Sequence, residues 1–559
     1  MQQPQPVAQP FSTLIYQIET GAIKIPQFQR SFVWDRRKSA KLLDSLLKGY
    51  PIGTFIFWRT KEELRSVRNL GRIELPTTPK GDYIHYVLDG QQRLTTLFAA
   101  VKGLEVERNG HVDDFSQMYI DLDADEDGAL VLTDISEKEP SSFISVTDLL
   151  RAEFTTLAGF PEKYHSKMQR YKRTLEGCNF SVILVPEASI DVATEIFTRI
   201  NVTGQPLSVF EVMVAKTYSA ERNFDLAERT SELLEELAEV GYGTIPDIVV
   251  LQAVSAIMVK ECSKKEILKL DKEHFIDNWP NAIEGVRAAV DYFRSFFRIP
   301  VSQLLPYKAL LVPFTYFFSR HPDRPTGDMQ RYLVDLFWRV SLGGYYSQSL
   351  ESRLAQDIKR VDAILEGQLP NYDYPVDTKK KFIKENGWFN TGRSFIKAIL
   401  CLLAARRPRS FLDNAEVNIN NDWLKQANSR NYHHFFPRAY LKRQGVDAYW
   451  ANHIGNITLV DEFLNKREIR DKKPSQYMRT FQRRNPDLAR TMRTHLIGLD
   501  EFGVWDDNYE RFLNKRCTTF ARELSSKVIR RDIDERGQVP TFDDFEEIEG
   551  AERETAETA

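Results

Sequence analysis

Residues 83–97 read YIHYVLDGQQRLTTL, and this stretch decides the fold class of the amino-terminal part of the chain. Tyr83 to Leu88 are rich in β-branched and aromatic residues, which predicts a strand. Asp89 and Gly90 predict a tight turn, and apolar residues at helical spacing from Arg93 to Val101 predict a helix. A strand that turns at a glycine directly into a helix is typical of a domain that mixes the two elements.

The same alternation of strands and helices extends over residues 11–215, so we predict an α/β or α+β domain there. The Gln/Pro-rich segment before it, residues 1–10, is expected to be disordered. The further predicted strands are Thr54 to Trp58, Met118 to Leu122 and Phe180 to Val185, and the further predicted helices are Arg37 to Lys48 and Asp191 to Ile200.

Residues 216–415 have apolar side chains at a period of 3.6 and few strand candidates, which predicts a helical domain. Prolines such as Pro300 and Pro322 separate its helices. From residue 416 the pattern changes to short apolar segments between basic ones. The predicted helices are Phe224 to Val240, Thr244 to Val259, Asn281 to Phe297, Met329 to Val340, Leu350 to Leu365 and Ser394 to Ala405.

Composition bounds the class of protein. A length of 559 residues predicts about three or four folding units. No apolar run approaches the roughly 18 residues that a membrane span needs, so no membrane partner is expected. The four cysteines form no CxxC pair, which excludes a disulfide scaffold and a cysteine-based zinc ribbon and predicts a cytoplasmic protein.

The net charge of −3 conceals two carboxy-terminal segments of opposite charge. Residues 421–531 carry 22 basic and 13 acidic side chains, a net +9, whereas residues 532–559 carry 2 and 11, a net −9. The basic segment indicates a polyanion partner, with a solvated surface as the alternative. We expect the acidic tail, residues 532–559, to be disordered and to compete with DNA for the basic segment.

One acidic segment imitates a calcium loop. Asp123, Asp125, Asp127, Gly128 and Asp134 have EF-hand spacing, but the flanking segments are strand-like rather than helical. A β-hairpin with an acidic turn is therefore predicted instead.

The turn at residues 89–93 has the chemistry of a phosphate site. A helix amino terminus presents free N–H groups and a partial positive charge, Gly90 permits close approach, and Arg93 adds a fork of donors. The alternative is structural, with Asp89 capping the helix and Arg93 paired with a nearby carboxylate.

Three ordered motifs, IPQFQR at residues 25–30, LDGQQRLTTL at 88–97 and FTRINVTGQPLS at 197–208, resemble the ParB-like amino-terminal domain of GmrSD-type restriction proteins. The resemblance covers residues 11–215 and implies a ParB/sulfiredoxin-like fold whose DGQQR turn binds, and often hydrolyses, a nucleoside triphosphate (NTP). Carried over by position, it places the nucleotide at Asp89, Gly90, Gln91, Gln92 and Arg93, with Arg30 as a helper.

A second cluster of specialised residues lies near the carboxyl terminus, where three of the nine histidines fall within 21 residues. The run NYHHFFP contains His433 and His434, and the later run NHIGNITLV contains His453 and Asn456. Adjacent histidines on a strand point to opposite faces, so the first two need different roles or a distorted strand. His453 is predicted to be a hydrogen-bonded core or turn residue, and the two phenylalanines of HHFFP are predicted to be core.

This cluster resembles an HNH, or ββα-metal, nuclease, and its subtype is similar to the nuclease half of the same GmrSD proteins, over residues 416–531. The resemblance implies that His434 is the general base, that His433 and Asn465 hold a divalent metal (Mg²⁺ or Mn²⁺) and that Asn456 braces the loop. Lys466, Lys472 and Lys473 are expected to contact phosphates. Histidine stands at 433 where an acidic residue is commoner in the family.

Together these features predict a multidomain α+β protein that cleaves DNA. The resemblance implies a modification-dependent (type IV) endonuclease of anti-phage defence, regulated by NTP and acting on modified phage DNA. A homodimer is plausible because one HNH site nicks one strand at a time. The alternatives are an NTP-dependent DNA sensor with a degenerate HNH domain, for which the histidine at 433 is the argument, and a less specific DNA or RNA nuclease.

Overall fold

The structure is a computed structural model of the chain. It describes residues 3–26, 32, 34–62, 64, 66, 69–70, 73–76, 78–79, 81–108, 111–125, 127–188, 190–200, 208–421, 432–460, 469 and 471–537. The chain divides into two compact units, Met1–Leu226 and Ala227–Ala559. The second unit therefore contains residues 227–415 of the predicted helical domain and the whole of the predicted nuclease domain, and residues 216–226 fall in the first unit.

A five-stranded mixed sheet forms the centre of the first unit. Its order is Gln5–Pro10, Asn179–Pro186, Phe55–Thr60, Ile84–Asp89 and Ile23–Lys24. The first pair is antiparallel, the second parallel, the third antiparallel and the fourth parallel. The predicted mixture of strands and helices is confirmed for this unit.

Helices cover both faces of the central strands. Phe55 and Phe57 belong to one core cluster, whereas Trp58, Tyr86 and Leu88 belong to another. Strands buried on both faces have nearly continuous apolar runs, which explains the TFIFW and YIHYVL sequences. The helices of this unit are Phe11–Glu19, Arg36–Leu47, Gln91–Lys102, Val146–Arg151, Phe154–Ala158, Glu162–Glu176, Ile190–Ile200 and Val209–Thr217, with a 3₁₀ turn at Phe115–Gln117.

The prediction of disorder for residues 1–10 is wrong for Gln5–Pro10, which form the edge strand of the central sheet. An edge strand tolerates proline because one row of its N–H groups faces away from the sheet. Its partner, Asn179–Pro186, lies far along the chain, so local composition did not reveal the pairing.

Small antiparallel sheets complete the first unit. Tyr119–Asp121 pairs with both Val131–Leu132 and Phe143–Ser145, which confirms the predicted hairpin around the acidic turn. No group of three or more His, Cys, Asp or Glu side chains that could hold a metal occurs among the described residues. Two further strand pairs are Asn69–Leu70 with Ile73–Glu74 and Glu105–Arg108 with His111–Asp114.

The amino-terminal part of the second unit is helical, as predicted. Its core contains an aromatic cluster in which the rings of Phe297 and Phe337 stack at 4.3 Å and Phe293 and Phe314 lie 4.8 Å apart. The helices are Leu226–Glu239, Asp247–Val259, Lys264–Lys269, Lys272–Ser295, Leu311–Arg320, Gly327–Leu342, Leu350–Leu365, Lys380–Glu385 and Ser394–Ala404, with 3₁₀ turns at Ser302–Leu304, Lys308–Leu310 and Tyr345–Ser347.

The remainder of this unit combines one antiparallel strand pair, Tyr432–His434 with Ile457–Leu459, and short helices. Phe435 and Phe436 are fully buried, which confirms that they belong to the core. The helices are Arg438–Arg443, Ala448–Ala451, Pro474–Arg484, Leu488–Thr494, Tyr509–Ser525 and Asp532–Arg536, with a 3₁₀ turn at Ile454–Asn456.

The predicted disorder of the acidic tail is wrong for its first residues. Asp532–Arg536 form a helix, and Asp534 accepts hydrogen bonds from Arg339 Nη2 at 2.6 Å and from Val376 N at 3.0 Å. Arg531 pairs with Asp335, which like Arg339 is fully buried. Buried charges need partners, so these contacts hold the segment in place. Residues 538–559 lie outside the described residues.

All four cysteines lie among the described residues, and none of them forms a disulfide in the structure. Among those residues, no helix combines the length and the apolar character needed to cross a membrane.

Candidate functional site

The predicted phosphate turn is a tight connection between the strand Ile84–Asp89 and the helix Gln91–Lys102. Gly90 has a φ of 93°, in the left-handed region that favours glycine. A Cβ atom at this position would lie 2.4 Å from Phe55 Cδ1, so the turn also requires glycine for space. Gly90 offers no side chain to cap the helix, and the helix amino terminus keeps its partial positive charge.

Arg93 is held inside the domain. Its Nη1 donates to Ile52 O at 2.7 Å, and its Nη2 donates to Thr54 O at 3.1 Å and to Asp89 Oδ2 at 2.8 Å. The structural alternative that the sequence left open, an arginine paired with a nearby carboxylate, therefore describes this geometry. An anion at the turn that also contacts Arg93 would share this side chain with Asp89.

The other predicted nucleotide residues flank this pair. Gln92 Oε1 accepts a hydrogen bond from Trp34 N at 3.3 Å, and Gln91 begins the helix. Arg30 and residues 201–207 of the third motif lie outside the described residues.

The two adjacent histidines of the second unit lie on the strand Tyr432–His434, paired in register with Ile457–Leu459. His433 is opposite Thr458, and His434 is opposite Ile457. Their surroundings differ, as expected of opposite faces of a strand.

His433 lies in the aromatic core and is 2% exposed. Its Nδ1 is 3.1 Å from Thr458 Oγ1, while its Nε2 has no hydrogen-bond partner among the described residues. Burial lowers the pKa of His433 to about 3, with smaller contributions from His434 and His495. The imidazole is therefore neutral at pH 7, the form that binds metals.

His434 is half-buried, and its Nε2 lies 2.9 Å from Asn452 Oδ1. Asn452 Nδ2 donates to Phe389 O at 3.2 Å, which directs the amide oxygen towards the imidazole. Because an amide oxygen only accepts, Nε2 of His434 carries the proton and Nδ1 is the basic nitrogen. Burial lowers the pKa of His434 to about 4, aided by Arg438 and opposed by the hydrogen bond to Asn452.

Asn456 fixes the chain that follows the histidine strand. It is fully buried, and its Oδ1 accepts from Phe436 N at 2.8 Å while its Nδ2 donates to Phe436 O at 2.9 Å and to Ala451 O at 3.1 Å. Its own carbonyl accepts from Phe435 N at 2.7 Å. Asn456 therefore braces the turn next to His434.

Sequence reasoning assigned no role to three supporting residues: Asn452 and Thr458, which lie within the run NHIGNITLV, and Arg516. Arg516 is fully buried in the helix Tyr509–Ser525, and its Nη2 donates to Ile457 O at 3.0 Å. Burial lowers its pKa to about 9, and its guanidinium lies 4.9 Å from the Phe520 ring centre. Its position in the sequence, remote from the histidine motifs, gave no signal of this contact.

His453 is a structural residue, as predicted. Its Nδ1 accepts from Gly455 N at 2.9 Å, and its Nε2 donates to Ile383 O at 3.1 Å. A Cβ atom at Gly387 would lie 1.9 Å from that Nε2, so glycine is required there. We call His433, His434, His453 and His495 the low-pKa histidines, because burial lowers their pKa values to about 3, 4, 4 and 4.

The predicted DNA-binding lysines differ in their environment. Lys473 Nζ lies 3.2 Å from Asp507 Oδ2, and Asp507 also accepts from Ser475 N at 2.7 Å, so it caps the helix Pro474–Arg484. Lys472 is exposed. Asn465 and Lys466 lie outside the described residues.

The exposed surface of the helices Pro474–Arg484 and Leu488–Thr494 is basic. It carries Arg479, Arg483, Arg490 and Arg493, which we call the arginine face. None of these four arginines has an acidic side chain as a partner among the described residues.

Comparison with known proteins agrees with part of this description. Residues 11–218 match the family model described as the N-terminal domain of the GmrSD restriction endonuclease. An uncharacterized protein of Methanocaldococcus jannaschii, MJ0686, is 25% identical over 524 residues, covering 83% of this chain and 85% of its own. The amino-terminal part of this chain is therefore similar to the corresponding domain of GmrSD restriction endonucleases.

Proposed function

We propose that this protein is a modification-dependent (type IV) DNA endonuclease of anti-phage defence, in which an NTP bound by the first unit regulates metal-dependent phosphodiester cleavage by the second. The observation that supports this most is the position of His434, which lies on an antiparallel strand pair, is fixed by Asn452 and is followed by the turn that Asn456 braces. The similarity of residues 11–218 to a restriction endonuclease domain supports the same function.

His434 is the proposed general base. A base must be unprotonated before it accepts a proton from water, and a pKa of about 4 keeps the imidazole neutral at pH 7. The hydrogen bond from Nε2 to Asn452 leaves Nδ1 to accept that proton. The negative charge of a phosphodiester nearby favours the imidazolium, so substrate binding raises the pKa towards a more useful value.

His433 and Asn465 are the proposed metal ligands, and a divalent ion, Mg²⁺ or Mn²⁺, would supply stabilisation of negative charge on the scissile phosphate. His433 offers one neutral ring nitrogen, Nε2, which has no hydrogen-bond partner among the described residues, and Thr458 orients the ring through Nδ1. The ring is buried in the aromatic core, so binding of a metal to Nε2 would require that core to open. Of the two proposed metal ligands, only His433 lies among the described residues, and it contributes one ring nitrogen.

DNA is the proposed substrate, and the arginine face with Lys472 would contact its phosphates. Cations that neutralise phosphates release counterions and make binding strongly dependent on salt. Because a single site cuts one strand, a homodimer would cut both strands of a duplex.

The NTP would bind at the DGQQR turn, with its phosphates at the amino terminus of the helix Gln91–Lys102. Arg93 would donate to the phosphates in exchange for its bond to Asp89.

A cleavage panel tests the proposal. Full-length protein with Mg²⁺ or Mn²⁺ is incubated with unmodified DNA, modified phage DNA and RNA, with and without NTP. We expect modified DNA to be cut in the presence of NTP and His434→Ala to slow cleavage at least about 100-fold. His274→Ala removes an exposed histidine of the same unit and should leave cleavage unchanged. Cleavage that persists in His434→Ala contradicts the assignment of the base.

The same panel separates two alternatives. An NTP-dependent DNA sensor with a degenerate nuclease site would bind DNA and cut none of the substrates. The burial of His433 in an aromatic core, with one free ring nitrogen, favours this alternative over the remaining one. A less specific nuclease would cut all three substrates without NTP.

A further inference from the structure

Residues 529–537, which we call the anchored segment, are fixed to the helical part of the second unit. Asp534 accepts two parallel hydrogen bonds from the guanidinium of Arg339, at 3.0 and 2.6 Å, and Arg531 donates to Asp335 at 2.7 Å. Arg339 and Asp335 are fully buried, and removal of one member of a buried ion pair is strongly destabilising. The anchored segment therefore holds the chain that follows it at a defined starting point.

That starting point, Gly537, is connected to the arginine face by a short path through the second unit. The path consists of short runs of chain joined by contacts: Gly537 with Pro375, Thr378 with Ser525, Glu523 with Arg406, and Arg409 with Thr494. Because a chain advances at most about 3.6 Å per residue, this path is no longer than about 60 Å. The 22 residues 538–559 can span about 70 Å. They are therefore long enough to reach the arginine face.

The arginine face concentrates positive charge. Residues 474–494 contain five arginines and one acidic residue, Asp487. Arg479 and Arg483 are four positions apart in the helix Pro474–Arg484, so their side chains are neighbours on the helix surface. Like charges at this spacing repel each other, and an anionic partner would offset that repulsion.

Residues 538–559, which we call the distal tail, have the complementary charge. Eight of them are acidic and one is basic, a net −7. A guanidinium binds carboxylate and phosphate oxygens in the same bidentate geometry. The distal tail and the backbone of a nucleic acid are therefore alternative ligands of the same arginines.

We propose that the distal tail binds the arginine face of its own chain and that DNA must displace it there. The competition rests on the proposed function, whereas the contact itself does not. A short tether keeps a segment at an effective concentration in the millimolar range, so individually weak ion pairs are sufficient for binding. DNA carries one negative charge per about 1.7 Å of its axis and displaces the distal tail by mass action.

A peptide of residues 538–559 tests the contact without DNA. It is titrated by calorimetry at low salt into a full-length variant whose own tail is neutral, and we expect saturable binding with a Kd below about 1 mM. Weaker binding would leave the arginine face open at the concentration that the tether provides, and would overturn the proposal. The neutral-tail variant carries Asp543→Asn, Asp544→Asn, Glu546→Gln, Glu547→Gln, Glu549→Gln, Glu552→Gln, Glu554→Gln and Glu557→Gln.

Matched charge reversals locate the contact. Arg479→Glu with Arg483→Glu should raise the Kd of the peptide at least about tenfold, because each reversal replaces an attraction by a repulsion. Lys265→Glu with Arg331→Glu makes the same change of net charge at exposed positions elsewhere in the unit and should change the Kd less than about twofold. Equal effects of the two pairs would show that the peptide responds to net charge alone and would overturn the assigned surface.

DNA binding tests the competition separately. In the full-length protein the neutral tail should raise DNA affinity about tenfold at low salt, and this gain should disappear when Arg479→Glu and Arg483→Glu are also present. The same gain in both backgrounds would overturn competition at the arginine face. If no variant binds DNA although the peptide binds the face, the contact stands and the proposed DNA substrate is wrong.

Discussion

Burial lowers the pKa of His434, and Asn452, whose amide oxygen lies 2.9 Å from Nε2 of the imidazole, acts in the opposite direction. Asn452→Asp keeps the shape of the side chain and the accepting oxygen but adds a negative charge. A negative charge stabilises the imidazolium, so we predict that the pKa of His434 rises from about 4.

The size of the expected pKa rise follows from the contact between residue 452 and the imidazole of His434. An opposite charge within about 4–6 Å shifts a pKa by about 1 to 3 units, and the surroundings of His434 are poorly solvated. Arg438 acts in the opposite sense on the imidazole, so we expect the pKa of His434 to rise by about 2, to roughly 6. The substitution also loses the donation from Asn452 Nδ2 to Phe389 O, which should lower the free energy of unfolding by about 1 to 3 kcal/mol.

The assay is NMR titration of the histidine ring protons, with the signal of His434 identified by its loss in His434→Gln. Asn278→Asp places the same new charge on a different helix of the unit and should leave the pKa of His434 unchanged. If DNA cleavage is observed, the acid limb of its rate–pH profile should move to higher pH by the same amount as the pKa of His434. An unchanged or lowered pKa in Asn452→Asp would refute the contact and the deduced tautomer.

Three further predictions concern stability and DNA binding. The low-pKa histidines have folded-state pKa values below 6.5, the ordinary value of a histidine, so the unfolded state binds more protons. Their contribution to stability is present above pH 6.5 and is lost as pH falls. Urea unfolding should show a loss of about 1 to 2 kcal/mol for each of the four between pH 7.5 and 5, and equal stability at both values would contradict their burial. Gly387→Ala places a Cβ atom 1.9 Å from His453 Nε2 and should destabilise the second unit by about 2 to 4 kcal/mol in the same assay; wild-type stability would show that the ring moves freely. The double variant Arg479→Glu and Arg483→Glu should reduce the slope of log K for DNA binding against log salt by about 2, whereas Arg331→Glu, an exposed arginine elsewhere in the unit, should not; equal slopes would exclude the arginine face.

Local patterns predicted the fold where short-range forces decide it. The run YIHYVLDGQQR predicted a strand, a glycine turn and a helix, and the structure contains Ile84–Asp89, Gly90 and Gln91–Lys102 in that order. The helix predicted at Leu350 to Leu365 has the same bounds in the structure. The edge strand Gln5–Pro10 was missed because its stabilising partner lies about 170 residues away in sequence, and composition alone does not report such pairing.

The candidate site divides in the same way. His434 and Asn456 belong to recognisable motifs, so sequence alone could nominate them. The partner of His434, Asn452, and the arginine that holds Ile457 O, Arg516, reach the site only through the folded chain. Sequence likewise left two interpretations of Arg93, because the carbonyl groups that engage it come from residues about 40 positions away.

The geometry at Arg93 constrains how a nucleotide could regulate the protein. In the structure the guanidinium is satisfied by Asp89 and by the carbonyl groups of Ile52 and Thr54, which immediately precede the strand Phe55–Thr60. A ligand shifts a conformational equilibrium only as far as its affinity differs between the two states. The three hydrogen bonds use Nη1 and Nη2, so a triphosphate can engage Arg93 through its other N–H groups or can replace the bond to Asp89. In the second case the bound and free states differ at the end of the strand Ile84–Asp89. A nucleotide that contacts only the helix amino terminus leaves these bonds intact and therefore cannot shift the conformational equilibrium through Arg93. Regulation that acts through the Asp89–Arg93 pair would therefore require a triphosphate that displaces Asp89 from Nη2.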